Sequence, residues 1–113
     1  HRAAYNASKH GLIGLTRTLG AEWGGRGVRV NAVCPGWIKT DMDVMSQATG
    51  AYNDDDIIDR VPMGRFAKAE DVAAAIAFLA SEDNFINGVS LPVDGGWIGD
   101  ASWNSLRTKT RAG

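Results

Sequence analysis

Three consecutive patterns constrain the fold of this chain more than any other feature. Ala7, Leu12, Leu15, Leu19 and Trp23 recur at spacings of three to five, which lines one side of a helix from about Ala4 to Trp23. Gly24, Gly25 and Gly27 follow, and glycine takes the left-handed backbone that closes a helix. Residues 27 to 34 then set Val28, Val30, Ala32 and Cys34 against Arg29, Asn31 and Val33, the alternation of a strand largely buried in a sheet. Pro35-Gly36 stops that strand, because proline lacks the ladder donor and glycine permits a sharp turn. Helix, glycine turn and strand in this order is the rhythm of a parallel α/β sheet. Gly11 and Gly14 inside the helix each cost up to ~1 kcal/mol against alanine, which predicts close packing there.

Further along, residues 37 to 53 show no clean period and mix Trp37, Met42, Met45 and Tyr52 with polar residues. A loop or lid of that length is uncommon without a job. Asn53 to Asp56 place carboxylates before Ile57 and Ile58, as the first turn of a short helix does. Glu70 and Asp71 open another helix, with Val72, Ala75, Ile76, Leu79 and Ala80 as its apolar face. Asn87-Gly88 turns into a short strand from Val89 to Val93, which Asp94-Gly95-Gly96 stops. Pro92 predicts that this strand lies near an edge or has interrupted pairing. The tail from Trp97 to Gly113 reads as irregular, suited to docking on a partner subunit. No internal repeat appears, so residues 1 to 113 are expected to belong to one domain.

Composition excludes several classes. The 113 residues are 44% hydrophobic and 22% charged, the balance of a folded domain or part of one rather than a disordered tail. Twelve Lys and Arg against thirteen Asp and Glu leave a net charge of -1, so no global basic field draws the chain to nucleic acid or anionic lipid. One cysteine, Cys34, and two histidines exclude a disulfide framework and the usual Cys/His zinc site. The Asp54-Asp55-Asp56 triplet lacks the glycine and terminal glutamate of a calcium loop, so no metal is expected. No apolar run approaches the ~20 residues that span a bilayer, and the expectation is a soluble cytoplasmic protein. Position 1 is His and a helical pattern begins almost at once, so part of the protein is expected upstream.

Tyr5 and Lys9 stand four apart on the first helix and therefore share a face. As a four-residue spacing the pair is weakly specific, but its chemistry is pointed. A phenol titrates near ~10, too high to exchange protons readily at neutral pH. An ammonium about 5 Å away, at an effective dielectric of ~20, favours the phenolate by about 3 kcal/mol. A phenol so placed can take a proton from an alcohol or give one to a carbonyl.

The context of the pair is specific. Tyr5-Asn-Ala-Ser-Lys9-His-Gly-Leu-Ile-Gly-Leu-Thr-Arg17 resembles the catalytic helix of the short-chain dehydrogenases/reductases. Arg29-Val-Asn-Ala-Val-Cys-Pro-Gly36 resembles the strand and turn that follow it in that family, and Trp37-Ile-Lys-Thr40 its nicotinamide-side continuation. Val61-Pro-Met-Gly-Arg65, the helix at Glu70-Asp71-Val72-Ala73 and Gly88-Val-Ser-Leu-Pro-Val-Asp-Gly-Gly96 match later landmarks in order. The resemblance covers about residues 3 to 97.

It implies the C-terminal half of a Rossmann-like, doubly wound parallel sheet in three α/β/α layers. Tyr5 becomes the acid/base and Lys9 the ribose-binding helper, with NAD or NADP as cofactor. Pro35, Gly36, Ile38 and Thr40 fall in the segment lining the nicotinamide, where the Ile38 amide and Thr40 hydroxyl would hold the carboxamide. Trp37, Met42, Met45 and Tyr52 fall in the variable substrate loop. The implied substrate is a small alcohol or ketone, and the implied assembly is a homo-oligomer, commonly a tetramer. The family's glycine-rich phosphate turn, ribose selector and catalytic Ser and Asn belong before position 1. The missing N-terminal half is therefore expected on the same or a companion chain, and residues 1 to 113 alone are expected to be inactive. The competing reading is a binding or structural subunit that kept the fold and lost catalysis. A cofactor-free dehalogenase relative is disfavoured, since those carry arginine where Lys9 stands.

Overall fold

Glycine placement and side-chain capping decide where each element begins and ends. The computed structural model describes residues 3–39, 50 and 53–99. In chain order the elements are α1 (Ala3–Gly24), β1 (Ala32–Pro35), α2 (Asp54–Ile58), α3 (Ala69–Ala80), β2 (Ser90–Val93) and a 3-10 turn at Trp97–Gly99. They group into two compact units, one of His1–Cys34 with Ala75–Leu91, the other of Pro35–Ala74 with Pro92–Gly113. No helix among the described residues is long and apolar enough to cross a membrane.

In the first unit, α1 ends where Gly27 takes φ 78°. The Gly27 and Val28 amides fold back to the Gly24 and Trp23 carbonyls at 3.0 and 3.3 Å, pairing the groups a helix end leaves open. The packed face of α1 differs from the expected stripe. Thr16 and Gly20 are buried and Ile13 and Leu19 half-buried, whereas Leu12, Leu15 and Trp23 are exposed. Thr16 buries its hydroxyl at no cost by donating to the Leu12 carbonyl at 2.8 Å. The close approach lies at Gly20, where an added Cβ would meet Asn87 Oδ1 at 2.7 Å, and the Asn87 amide donates to the Gly20 carbonyl at 2.8 Å. Around Gly11 and Gly14 no described atom comes within 4 Å of such a Cβ. Among the described residues the tightest approach to α1 is thus at Gly20.

The strand expected over residues 27 to 34 is shorter and shifted, beginning at Ala32 and including Pro35. Side-chain amides explain the shift. Asn31 accepts from the Val89 amide at 2.9 Å and donates to the Ile86 carbonyl at 3.0 Å, while Asn87 accepts from the Val30 amide at 2.9 Å. These bonds stand where ladder bonds between main chains would run. Main chains also pair directly, Gly88 N–H to Val30 C=O at 2.8 Å, Ala32 N–H to Val89 C=O at 2.8 Å and Gly36 N–H to Val93 C=O at 3.0 Å. Both partners advance together, so the two-stranded sheet is parallel. Groups at odd-numbered positions of β2 face β1, which turns the donor-less Pro92 nitrogen away from the ladder.

Arg29 closes the C-terminal end of α3. Its Nη1 donates to the Leu79 carbonyl at 2.8 Å, Asn84 Oδ1 at 2.7 Å and the Ile86 carbonyl at 3.1 Å, and Nη2 to the Ser81 carbonyl at 2.8 Å. A guanidinium suits this place because its planar fork meets several helix-end carbonyls at once. Of the apolar face expected on α3, Leu79 is buried and Val72 and Ala75 half-buried, while Ile76 and Ala80 are exposed.

In the second unit, Asn53 caps α2. Its side chain accepts from the Asp56 amide at 3.0 Å and the Asp56 carboxylate accepts from the Asn53 amide at 2.8 Å, a reciprocal capping box. Ile57 and Val61 form the buried core here. Asp71 anchors the start of α3, accepting from the Lys68 amide at 2.8 Å and from both Arg65 guanidinium nitrogens at 2.7 and 3.3 Å.

The Arg65 hydrogen bond, then the Lys68 amide, hold the Asp71 carboxyl at about 2, below its ordinary 3.8. A depressed folded pKa contributes stability above the unfolded value and loses it as pH falls through the folded one. Thermal unfolding between pH 4 and 2 is therefore expected to show a steeper fall for the parent than for Asp71→Asn, by a small amount because the pair faces solvent. Identical slopes would remove the assignment.

Candidate active site

Helical geometry brings Tyr5 and Lys9 together. Both lie on α1, one turn apart, and the Lys9 ammonium sits over the Tyr5 ring, 5.4 Å from its centroid. That is the reach of a cation–π contact, and it holds the positive charge beside the phenol. The ring is 52% exposed, so solvent and a small molecule can reach it. On either side of this pair, side chains bond locally to the helix: Ser8 Oγ donates to the Tyr5 carbonyl at 2.8 Å and His10 Nδ1 lies 2.9 Å from the Asn6 carbonyl.

Pro35, Gly36, Trp37 and Ile38 form a strip in the second unit that several contacts pin down. Gly36 lies so close to Asp94 that a Cβ would stand 2.7 Å from both its Cα and Cβ, so only glycine fits without movement. The Ala67 amide donates to the Trp37 carbonyl at 2.8 Å, and Ile38 forms a parallel bridge with Ala67. A parallel bridge uses the groups that flank its central residue. The Ile38 N–H is consequently turned away from Ala67. Lys39 Nζ meets Asp54 Oδ2 at 2.6 Å, and the Trp37 ring stands edge-on to Trp97, with centroids 5.9 Å apart.

Thr40, Met42, Met45 and Tyr52 lie outside the described residues. Tyr5 and Lys9 belong to one unit and Pro35, Gly36, Trp37 and Ile38 to the other. Among the described residues, an open cavity of about 480 Å³ in the second unit is lined by Met63, Arg65, Asp71 and Asp94. Another, of about 630 Å³ in the first, is lined by Arg29, Asn31, Ile76 and Leu79. Neither is lined by a candidate cofactor, catalytic or substrate residue named from the sequence. Part of their charged lining is engaged, Arg65 with Asp71 in the one and Arg29 with helix-end carbonyls in the other.

The sequence reading passed over Arg29 as a hydrogen-bond centre, Asn31 and Asn87 as ladder substitutes, and Trp97 as a neighbour of Trp37. Asn87-Gly88 signalled a turn, and the same amide also reaches back to α1. Only the spatial neighbours of these residues reveal their roles.

Comparison with known proteins identifies the family and the fold. The family model described as enoyl-(acyl carrier protein) reductase matches residues 1–98. A 2-dehydro-3-deoxy-D-gluconate 5-dehydrogenase of Bacillus subtilis is 41% identical over 96 residues, 84% of this chain and 37% of its own length. A solved structure of a putative 2-deoxy-D-gluconate 3-dehydrogenase from Agrobacterium tumefaciens with bound NADP is 42% identical, with a TM-score of 0.75 over 85% of this chain and 39% of that one. An oxidoreductase of the short-chain dehydrogenase/reductase family from Burkholderia thailandensis superposes with a TM-score of 0.81 at 35% identity, covering 97% of this chain and 42% of that one. The chain spans 18 to 38% of the length of the first curated relatives it matches. Parallel strands, flanking helices and the ordered motifs carry one meaning: the fold is part of a Rossmann-type α/β sheet, and the chain belongs to the short-chain dehydrogenase/reductase family.

Proposed function

We propose that residues 1–113 form the C-terminal portion of a single Rossmann-like domain, whose complete form is an NAD(P)-dependent oxidoreductase acting on an alcohol or ketone. The observation that carries this reading is the Lys9 ammonium held over the Tyr5 ring at 5.4 Å. When bound, the nicotinamide supplies or accepts the hydride at its C4 carbon. Tyr5 Oη gives a proton to the carbonyl oxygen as the ketone is reduced, or takes one from the hydroxyl as the alcohol is oxidised. Lys9 stabilises the phenolate left between those steps, and its ammonium donates to ribose hydroxyls.

In the second unit, the Ile38 N–H turned away from Ala67 suits a carboxamide oxygen, Pro35-Gly36 is assigned as a wall of the nicotinamide site, and Thr40 is assigned the second carboxamide contact. Trp37, Met42 and Met45 are assigned to the substrate side. The phosphate turn and the remaining catalytic side chains are assigned to polypeptide outside residues 1–113, on the same or a companion chain. A cytoplasmic homotetramer completes the reading, with the exposed Leu12 and Leu15 of α1 suited to a helix contact between subunits.

Mixing the complete protein, residues 1–113 together with the polypeptide that supplies the phosphate turn, with NADH or NADPH tests the reading. Enhanced nicotinamide fluorescence, followed by oxidation of the cofactor with a panel of ketones, is the expected result. Binding without turnover on any ketone or alcohol would favour the non-catalytic subunit instead.

A further inference from the structure

We infer that Trp97 is a positioning residue for the strip Pro35–Ile38, acting on the nicotinamide through Trp37; this rests on the proposed function above. The short segment from Asp94 to Trp97 touches the strip twice. Asp94 packs against Gly36 so closely that no Cβ fits there, and the Trp97 ring stands at 79° to that of Trp37 with centroids 5.9 Å apart. These two contacts hold the strip from both ends of the Asp94–Trp97 segment. It then continues into the Ile38 bridge to Ala67 and the Lys39–Asp54 ion pair.

Trp97 is itself firmly placed. Its amide donates to the Asp94 carbonyl at 3.2 Å, while the Asp94 carboxylate accepts from the Gly96 and Ile98 amides, each at 3.0 Å. One aspartate thus closes the turn at three points and presents the indole. The ring pair does not belong to the core. Trp37 and Trp97 are 37% and 41% exposed, against 6% and 2% for Ile57 and Val61 in the same unit. A contact that open contributes little by burial. What it fixes is the direction of Trp37, and with it the backbone that aims the Ile38 N–H.

The test titrates the full chain and its Trp97→Ala and Trp97→Phe variants with reduced dinucleotide and, separately, with ADP-ribose or its 2′-phosphate. The second ligand keeps the adenine side and lacks the nicotinamide. Trp97→Ala is expected to weaken dinucleotide binding about 2- to 10-fold, the range of one aromatic pair, and to leave ADP-ribose binding unchanged. Trp97→Phe is expected to restore most of the loss. Equal weakening of both ligands would mean that Trp97 merely supports the fold, and unchanged dinucleotide affinity would equally overturn the inference. Should Trp97→Ala lose its circular dichroism signature, Trp97→Leu carries the same comparison. A parent protein that binds neither ligand sinks the proposed function and this inference with it. A parent that binds both, with variants that do not differ, sinks the positioning role alone.

Discussion

Tyr5→Phe is expected to lower turnover of the complete protein, with the polypeptide outside residues 1–113 present, by about 10²- to 10⁴-fold, the usual contribution of one positioned acid/base group, with cofactor affinity nearly unchanged. The substitution removes a single oxygen. Its ring keeps the shape over which the Lys9 ammonium rests at 5.4 Å, so the placement of Lys9, and with it the ribose contact proposed above, is expected to persist. Because the position is 52% exposed on α1, the stability change is expected to stay within about 0.5 kcal/mol. Steady-state kinetics read the result as a fall in kcat, and fluorescence titration reads the retained affinity. Near-normal rates would remove Tyr5 from the proton path, whatever the fate of the family assignment. Lys9→Ala differs in kind, since it withdraws both the charge beside the phenol and the ribose donors.

Arg29→Ala is expected to cost the folded state about 3 kcal/mol. The guanidinium makes four hydrogen bonds, to the Leu79, Ser81 and Ile86 carbonyls and to Asn84 Oδ1. Bonds to charged donors are worth about 1.5–3 kcal/mol each when removed singly, but four on one side chain do not add, because Asn84 and water take over part of the set. The Asn84 amide already donates to the Leu79 and Ser81 carbonyls at 3.3 and 2.9 Å, so the helix end keeps a partial cap. Arg29→Lys is expected to recover part of the stability and not all, since an ammonium lacks the planar fork. Denaturant titration of the full chain measures both, and a loss below about 0.5 kcal/mol for Arg29→Ala would show that the hydrogen bonds are replaceable by solvent.

Local features of the chain were legible wherever the cause lies within a few residues. The α1 terminator at Gly27, the Asn53 cap with its carboxylate first turn, the Glu70-Asp71 helix start and the Gly88 turn all follow from short-range sterics and hydrogen bonding. The Tyr5–Lys9 proximity is of the same kind, because four residues on a helix span one turn whatever surrounds them. Facing and register were not legible. Leu12 and Leu15 look like the buried stripe by hydrophobicity, yet the face that packs carries Thr16 and Gly20, selected because the loop at Asn87-Gly88 comes close to the backbone. The same amide side chains, with Asn31, displaced the start of β1 by several residues from where alternation alone puts it.

By itself, then, the order of residues determined which segments are helical, where they stop, and that a phenol and an ammonium share a helix face, since each of these depends on neighbours in the chain. Only the tertiary structure decided that Arg29 ties off α3, that Gly20 and Gly36 are the glycines pressed against another backbone, and that Trp97 stands beside Trp37. Those contacts join residues 50 to 67 positions apart in the chain, as between Arg29 and Leu79 or Gly20 and Asn87. No local propensity encodes such pairs, because they come into being when chain segments dock and burial, shape and hydrogen bonding are satisfied together.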